Sequence, residues 1–204
     1  MIEGTSLPFF HYRIDGWVNI KPSLVDVLPK IDDLYLEPDK SIYTDFYENI
    51  KSSYLPVYAR TVLDIIKPYL ADFVIKSREK TQISVERKAI AVEDLQFSSM
   101  WWQTAFKAQR HPVHNHGGTG WSSVLYVDFD REVHFPTKFY TNYADPWTGV
   151  SSEWYPPVQE GDMIIFPAYL KHESPPNESD KKRTIVSYNI LGENGRVKDV
   201  SEST

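Results

Sequence analysis

From about residue 96 to residue 191 the chain consists of short runs of Val, Ile, Phe, Tyr and Trp broken by clusters of Gly, Pro, Asn and Asp. β-Branched and aromatic side chains suit a pleated, half-buried surface, and the breaking residues supply the turns between strands. The clearest strands lie in "KAIAVEDLQFSSMWWQTAFK" (88–107), "WSSVLYVDFD" (121–130), "DMIIFP" (162–167) and "RTIVSYNI" (183–190). Their even punctuation predicts a mainly β jelly roll or barrel with helices on its outside. Residues 144–157, "ADPWTGVSSEWYPP", are aromatic and Pro-rich without a period, which predicts a long loop or lid.

The first half reads differently. In residues 53–76, Val62, Ile65, Ile66, Leu70, Phe73 and Val74 recur at helical spacing, predicting a packing helix that Pro68 kinks or divides. Residues 1–50 mix short apolar pieces with turn signals such as "IDG" and "EPDK", so irregular structure with a strand or short helix is expected there. A chain of 204 residues, 41% apolar and 25% charged, suffices for one folded domain. No repeat or compositional break divides it. The expected plan is a single domain with a helical and irregular support region (1–95), a β core (96–191) and a C-terminal tail (192–204).

With 22 basic against 28 acidic residues, the formal charge of -6 gives no general attraction to nucleic acid or to an anionic membrane. There is no cysteine, which excludes disulfides and thiolate metal sites and leaves histidine, carboxylate or carbonyl groups to hold any metal. The N-terminal stretch has neither a basic region nor a long apolar one, and no uncharged run of about 18 residues occurs. A soluble, cytoplasmic protein is expected. "GGTG" (117–120) lacks the lysine and hydroxyl of a phosphate loop and precedes a strand, and no GxSxG elbow is present.

Three of the six histidines crowd into "HPVHNH", residues 111–116. On a strand, residues two apart share a face, so His114 and His116 would point together and His111 away, with Pro112 keeping the segment extended. An isolated HxH pair is most simply two surface histidines. His172, after the apolar strand of residues 162–167, adds a third imidazole from a distant part of the same roll. Such a set suits zinc, iron, copper or nickel and leaves positions open. In the last strand Arg183, Ile185, Ser187 and Asn189 share one face; in the strand after the glycines Ser122, Val124, Tyr126 and Asp128 do. An arginine on an inward face needs an anion, and its planar fork matches a carboxylate, with Ser187 and Tyr126 able to assist. Read alone, Arg183 is a surface cation in the run "KKR".

Taken together, the HxH segment followed by "WSSVLYV", then "GDMIIFPAYLKH", then "RTIVSYN" resemble the 2-oxoglutarate and iron(II)-dependent dioxygenases, and most of all their small prolyl-hydroxylase-like branch in bacteria and phages. The resemblance covers residues 98–191. It implies a double-stranded β-helix that uses Fe(II), 2-oxoglutarate and O2 to hydroxylate a small-molecule or peptidyl substrate, releasing succinate and carbon dioxide. By it, His114 matches the first metal ligand, His172 the distal ligand, and Arg183, eleven residues further on, the anchor of the far carboxylate. Tyr126 matches the tyrosine that assists the anchor, and Ser187, Asn189 and Ser122 fall on the co-substrate's side. His116 stands where the wider family has a carboxylate. It reads as a third ligand, the alternative being a neighbouring histidine with Asp128 or a water completing the iron. Trp101, Trp102, Trp121, Trp147 and Trp154 could line the pocket or simply pack. Glu173 reads as a solvated neighbour of His172, and Glu160, Gly161 and Asp162 as a turn. Two other readings of the histidines stand beside this one, a three-histidine zinc enzyme and a cupin-like binding barrel. Neither gives Arg183 and Ser187 a task.

Overall fold

The structure, a computed structural model, describes residues 8–31, 35–36, 42–52, 54–81, 92, 95–144 and 146–191. Strand β1 (Phe10–Arg13) leads into helix α1 (Trp17–Val27), two short strands β2 (Tyr35–Leu36) and β3 (Tyr43–Thr44), and helices α2 (Phe46–Lys51) and α3 (Ala59–Thr81). Eight strands follow: β4 (Gln96–Ala105), β5 (His111–His114), β6 (Trp121–Asp128), β7 (Lys138–Ala144), β8 (Ser151–Trp154), β9 (Asp162–Pro167), β10 (His172–Ser174) and β11 (Arg183–Leu191). They form two antiparallel sheets, one ordered β1-β9-β6-β11-β4-β3-β2 and the other β5-β10-β7-β8. The larger sheet's Val124, Tyr126, Ile164, Phe166 and Ile185 share a core with Phe139 of the smaller one. This is the double-stranded β-helix of a jelly roll.

The outer face of the large sheet is covered by α3. Its stripe of Val62, Ile66, Leu70 and Phe73 packs with Trp102, Leu125, Val127, Ile165, Val186 and Tyr188. At about 1.5–3 kcal/mol for each large apolar side chain removed from water, this stripe holds the helix to the sheet. Because the sheet is buried on both sides, every residue of β9 is buried, and the run "DMIIFP" shows no alternation. Pro68 lies inside α3, so of the two expected effects, a kink or a division, the division does not occur. Both Pro68 and Asp64, whose carbonyl loses its i+4 donor, are exposed, so water can satisfy that carbonyl.

Two further expectations need correction. Residues 144–157 are not wholly loop, since β8 pairs with β7 through Phe139↔Trp154 and Tyr140↔Glu153. The N-terminal part also contributes to the β core: β1 forms the edge beside β9, while β2 and β3 extend the opposite edge through β4. Asp162, expected only as a turn residue, is fully buried at the β1–β9 junction. It accepts hydrogen bonds from the Arg13 guanidinium, from the Gln159 N–H (2.9 Å) and from His11 Nε2 (2.8 Å). A buried carboxylate is tolerable only when partnered in this way.

Candidate metal centre

His114 ends β5, His172 begins β10, and the two face each other directly in the ladder. His116 lies two residues beyond β5, where its N–H donates to the Ala168 carbonyl at 2.8 Å. Gly120 (φ +88°) then turns the chain into β6, so close to β11 that a Cβ there would sit 2.5 Å from the Ile190 carbonyl oxygen. Ring centroids are 4.3 Å apart for His114 and His172, 5.0 Å for His114 and His116, and 5.1 Å for His116 and His172. One nitrogen from each ring falls within 4.8 Å of the others.

Two of the rings are fixed from behind. His114 Nδ1 donates to the Pro112 carbonyl and His172 Nδ1 to the Leu170 carbonyl, each at 2.8 Å. A carbonyl can only accept, so Nδ1 carries the proton and the neutral ring's lone pair is on Nε2, the tautomer that a metal requires. Burial lowers the pKa of all three. His116 falls to about 4, by burial and then by His114; His114 is lowered by burial against the pull of the Pro112 carbonyl; His172 is lowered further, by burial and then by His114. Three neutral nitrogen donors fit iron or zinc.

Contrary to simple strand alternation, His111 turns towards this group. Between the pairs His172↔His114 and Ser174↔His111, three steps along β5 oppose two along β10. That bulge restores the side of the sheet that alternation would have reversed. The His111 ring lies 4.1 Å from that of His114, inclined by 33°, and its Nδ1 is 3.3 Å from Gln103 Nε2. Asp128, the alternative ligand, stands elsewhere, paired with Lys21 (2.7 Å) and Lys182 (3.0 Å). Burial pushes its carboxyl up, but those two ammonium groups outweigh it and hold the pKa below the usual range.

The histidines open onto a cleft between the sheets. Ser187 and Ile185 of β11 line it with their ladder partners Trp101 and Gln103 of β4, so the polar face expected for the last strand does look inward at these positions. Ser174, Thr137, Ser123, Val124 and Phe166 also line the cleft. Asn189 and Ser122 lie outside it: Ser122 Oγ donates to Asn189 Oδ1 at 2.7 Å, and Asn189 Nδ2 donates to Ser99 Oγ at 3.0 Å, tying β11 to its two neighbours.

Arg183 is 4% exposed. Its guanidinium donates to the Phe135 carbonyl (2.9 Å), to Ser174 Oγ (2.5 Å) and to the Pro175 carbonyl (2.6 Å). Among the described residues it has no carboxylate partner. Burial lowers its pKa to about 10, which leaves it charged at neutral pH. The buried Tyr126 hydroxyl donates to Thr137 Oγ1 at 2.9 Å and accepts from the Thr137 N–H at 3.2 Å, and burial pushes it up to about 12. Ser174 and Thr137 thus join Arg183 and Tyr126 to the cleft wall.

The tryptophans separate. Trp101 lies 5.3 Å from His116 in the cleft. Trp154 stacks at 4.8 Å on Phe139, which adjoins His172. Trp102 and Trp121 belong to the core under α3, and Trp147 is exposed. Glu173 does point away from the cleft, but it is partnered: it accepts from the Tyr140 hydroxyl at 2.5 Å and lies 3.8 Å from Lys138. Gln103, Thr137 and Ser174 were not anticipated. Counting by two from Trp101 and from His172 reaches Gln103 and Ser174, whereas Thr137 precedes β7 in an irregular stretch and carries no such signal.

Residues 99–189, which hold the three histidines, Tyr126 and Arg183, match the family described as "Putative 2OG-Fe(II) oxygenase". A stretch of 54 residues is 43% identical to a methylphosphonate hydroxylase of Gimesia maris, covering 25% of this chain and 19% of that protein's length. A prolyl-4-hydroxylase from Pseudomonas putida shares the fold with a TM-score of 0.56 over 91% of this chain and 93% of that one, at 9% identity. A collagen prolyl hydroxylase of Paramecium Bursaria Chlorella virus-1, in a 2-oxoglutarate complex, does so with a TM-score of 0.53 over 90% and 96%, at 13% identity. In its matched segment, 99–189, in its fold and in its histidine cluster, the chain is similar to the 2-oxoglutarate and iron(II)-dependent oxygenases.

Proposed function

We propose that the protein is an Fe(II)- and 2-oxoglutarate-dependent oxygenase, in which one oxygen atom of O2 enters succinate as 2-oxoglutarate loses carbon dioxide and the other hydroxylates a substrate C–H bond. The observation that carries this reading is the junction of three neutral imidazoles with a wall that leads to a buried guanidinium lacking a carboxylate partner among the described residues. His114, His116 and His172 would hold the iron. When bound, that ion supplies the activation of oxygen. The Pro112 and Leu170 carbonyls orient two of its ligands, and Val124, Phe166 and Ile185 supply apolar wall to the cleft.

Arg183 would bind the far carboxylate of 2-oxoglutarate, where the fork's charge and shape are both used. Ser174, Thr137 and Ser187 offer hydroxyls beside it, and Tyr126 acts on the co-substrate through Thr137. Asn189 and Ser122 support the strands behind. The substrate is a small molecule or a peptidyl group, as in the relatives, and the chemistry takes place in the cytosol. No helix of the described residues is long and apolar enough to cross a membrane.

The decisive test is anaerobic titration of 2-oxoglutarate into iron(II)-loaded protein, following the visible charge-transfer band of a chelated keto acid. A saturable band is expected. Its absence with the metal confirmed in place would overturn this reading and leave the three-histidine zinc enzyme, which the same donor set also suits, or a binding barrel.

A further inference from the structure

Among the described residues, no acidic side chain lines the cleft. The nearby carboxylates among the described residues are engaged elsewhere. Glu173, next to His172 in sequence, is turned to Tyr140 and Lys138; Asp128 is held by Lys21 and Lys182; Asp162 is clamped by Arg13 and His11. What lines the cleft instead is a set of imidazoles, the Gln103 amide and the hydroxyl-bearing Ser123, Thr137, Ser174 and Ser187.

This composition fixes a charge balance. An ion held by three neutral rings keeps its full double charge, whereas a carboxylate at position 116 would cancel one unit of it. With 2-oxoglutarate in place, one carboxylate is met by Arg183 and the other by the ion, and one positive charge is left uncompensated. Beside half-buried rings, where the effective dielectric is lower than in bulk water, that residual charge acts on whatever binds next. We infer that this cleft takes a small anionic substrate, a phosphonate, phosphate or carboxylate in chemical class, and that His116 is the residue that sets this preference. The inference rests on the oxygenase reading above, because the charge count includes the bound co-substrate.

The test uses the full chain loaded with Mn(II) and saturated with 2-oxoglutarate. Phosphorus NMR line broadening by the paramagnetic ion reports whether a phosphorus compound reaches the site, with no turnover required. The probes are methylphosphonate and its uncharged dimethyl ester. Saturable broadening of the anion at an affinity at least about tenfold above that of the ester is expected. Equal broadening of the two, or none of the anion, would overturn the inference while leaving the oxygenase reading intact as long as 2-oxoglutarate still binds. Loss of 2-oxoglutarate binding would remove both. In His116→Asp protein that still holds Mn(II), the preference should fall by about the same tenfold factor, and an unchanged preference would overturn the role of His116. The comparison of anion and ester on the unaltered protein stands even if that variant fails to fold.

Discussion

His114 and His172 face each other across two strands whose sequence positions lie 58 residues apart, with ring centroids at 4.3 Å. The ladder that joins β5 to β10 is therefore also what brings two of the three nitrogen donors together. Each ring is pinned by a carbonyl two residues before it, Pro112 for one and Leu170 for the other.

Replacing either ring should abolish metal retention. His114→Ala and His172→Ala are expected to weaken metal binding by more than about 100-fold, beyond what loss of a merely orienting neighbour costs. Metal content after dialysis measures this, and stoichiometric metal in either variant would remove that residue from the ligand set. His116→Ala separates a three-histidine site from a two-histidine one: retention of iron with turnover would favour the latter.

Arg183 has two duties that can be measured apart. Arg183→Gln leaves the Phe135 and Pro175 carbonyls short of a charged donor and should cost about 2–4 kcal/mol in urea unfolding. It should spare the metal and severely weaken 2-oxoglutarate binding. Arg183→Lys keeps the charge without the fork, so it should recover only part of that affinity. Full 2-oxoglutarate affinity in the glutamine variant would contradict the anchor.

The depressed histidines make the metal-free protein sensitive to acid. Once unfolded, His116 takes up its proton near 6.5, but in the folded protein only at about 4. Between those values the unfolded chain binds more protons, so stability falls as pH drops through that window; above it the contribution vanishes, and below it the loss is complete. His114 and His172 shift in the same direction. The Tm of the metal-free protein should decline across this range, and His116→Gln should flatten the slope. A Tm insensitive to pH there would show that the rings protonate freely in the folded state.

Gly120 is fixed by both its backbone and its neighbour. Gly120→Ala places a methyl group 2.5 Å from the Ile190 carbonyl at a φ of +88°, and an expected loss of about 2 kcal/mol or more would appear in urea unfolding. Because Gly120 also accepts from the Ala168 N–H, and the Ala168 carbonyl holds His116, metal affinity should drop as well. A variant with unchanged stability and metal affinity would show that the turn can relax.

Much of this site was legible because strands alternate. The inward face of Arg183, Ile185 and Ser187 and the helical stripe of α3 follow from periods of two and 3.6, and burial enforces both. Alternation failed at His111, where a bulge adds one step that no residue type announces. It also left Glu173 looking solvated, since Tyr140 and Lys138 reach it from a strand paired across the sheet. Thr137 and β7 were missed for want of a clean period. Asp128 was an open alternative because sequence order does not reveal that Lys21, more than a hundred residues away, lies beside it.

Strand β1 finds its partner late. Phe10 pairs with Ile165, so the first strand of the large sheet stays without its neighbour until more than 150 further residues have been made. Closing so long a loop is slow, and until β9 arrives the apolar face of Phe10 and the edge of β6 are open to other chains. The Arg13–Asp162 clamp then works as a late latch on folding, and a ribosome-bound chain stalled short of β9 would be this protein's most aggregation-prone form.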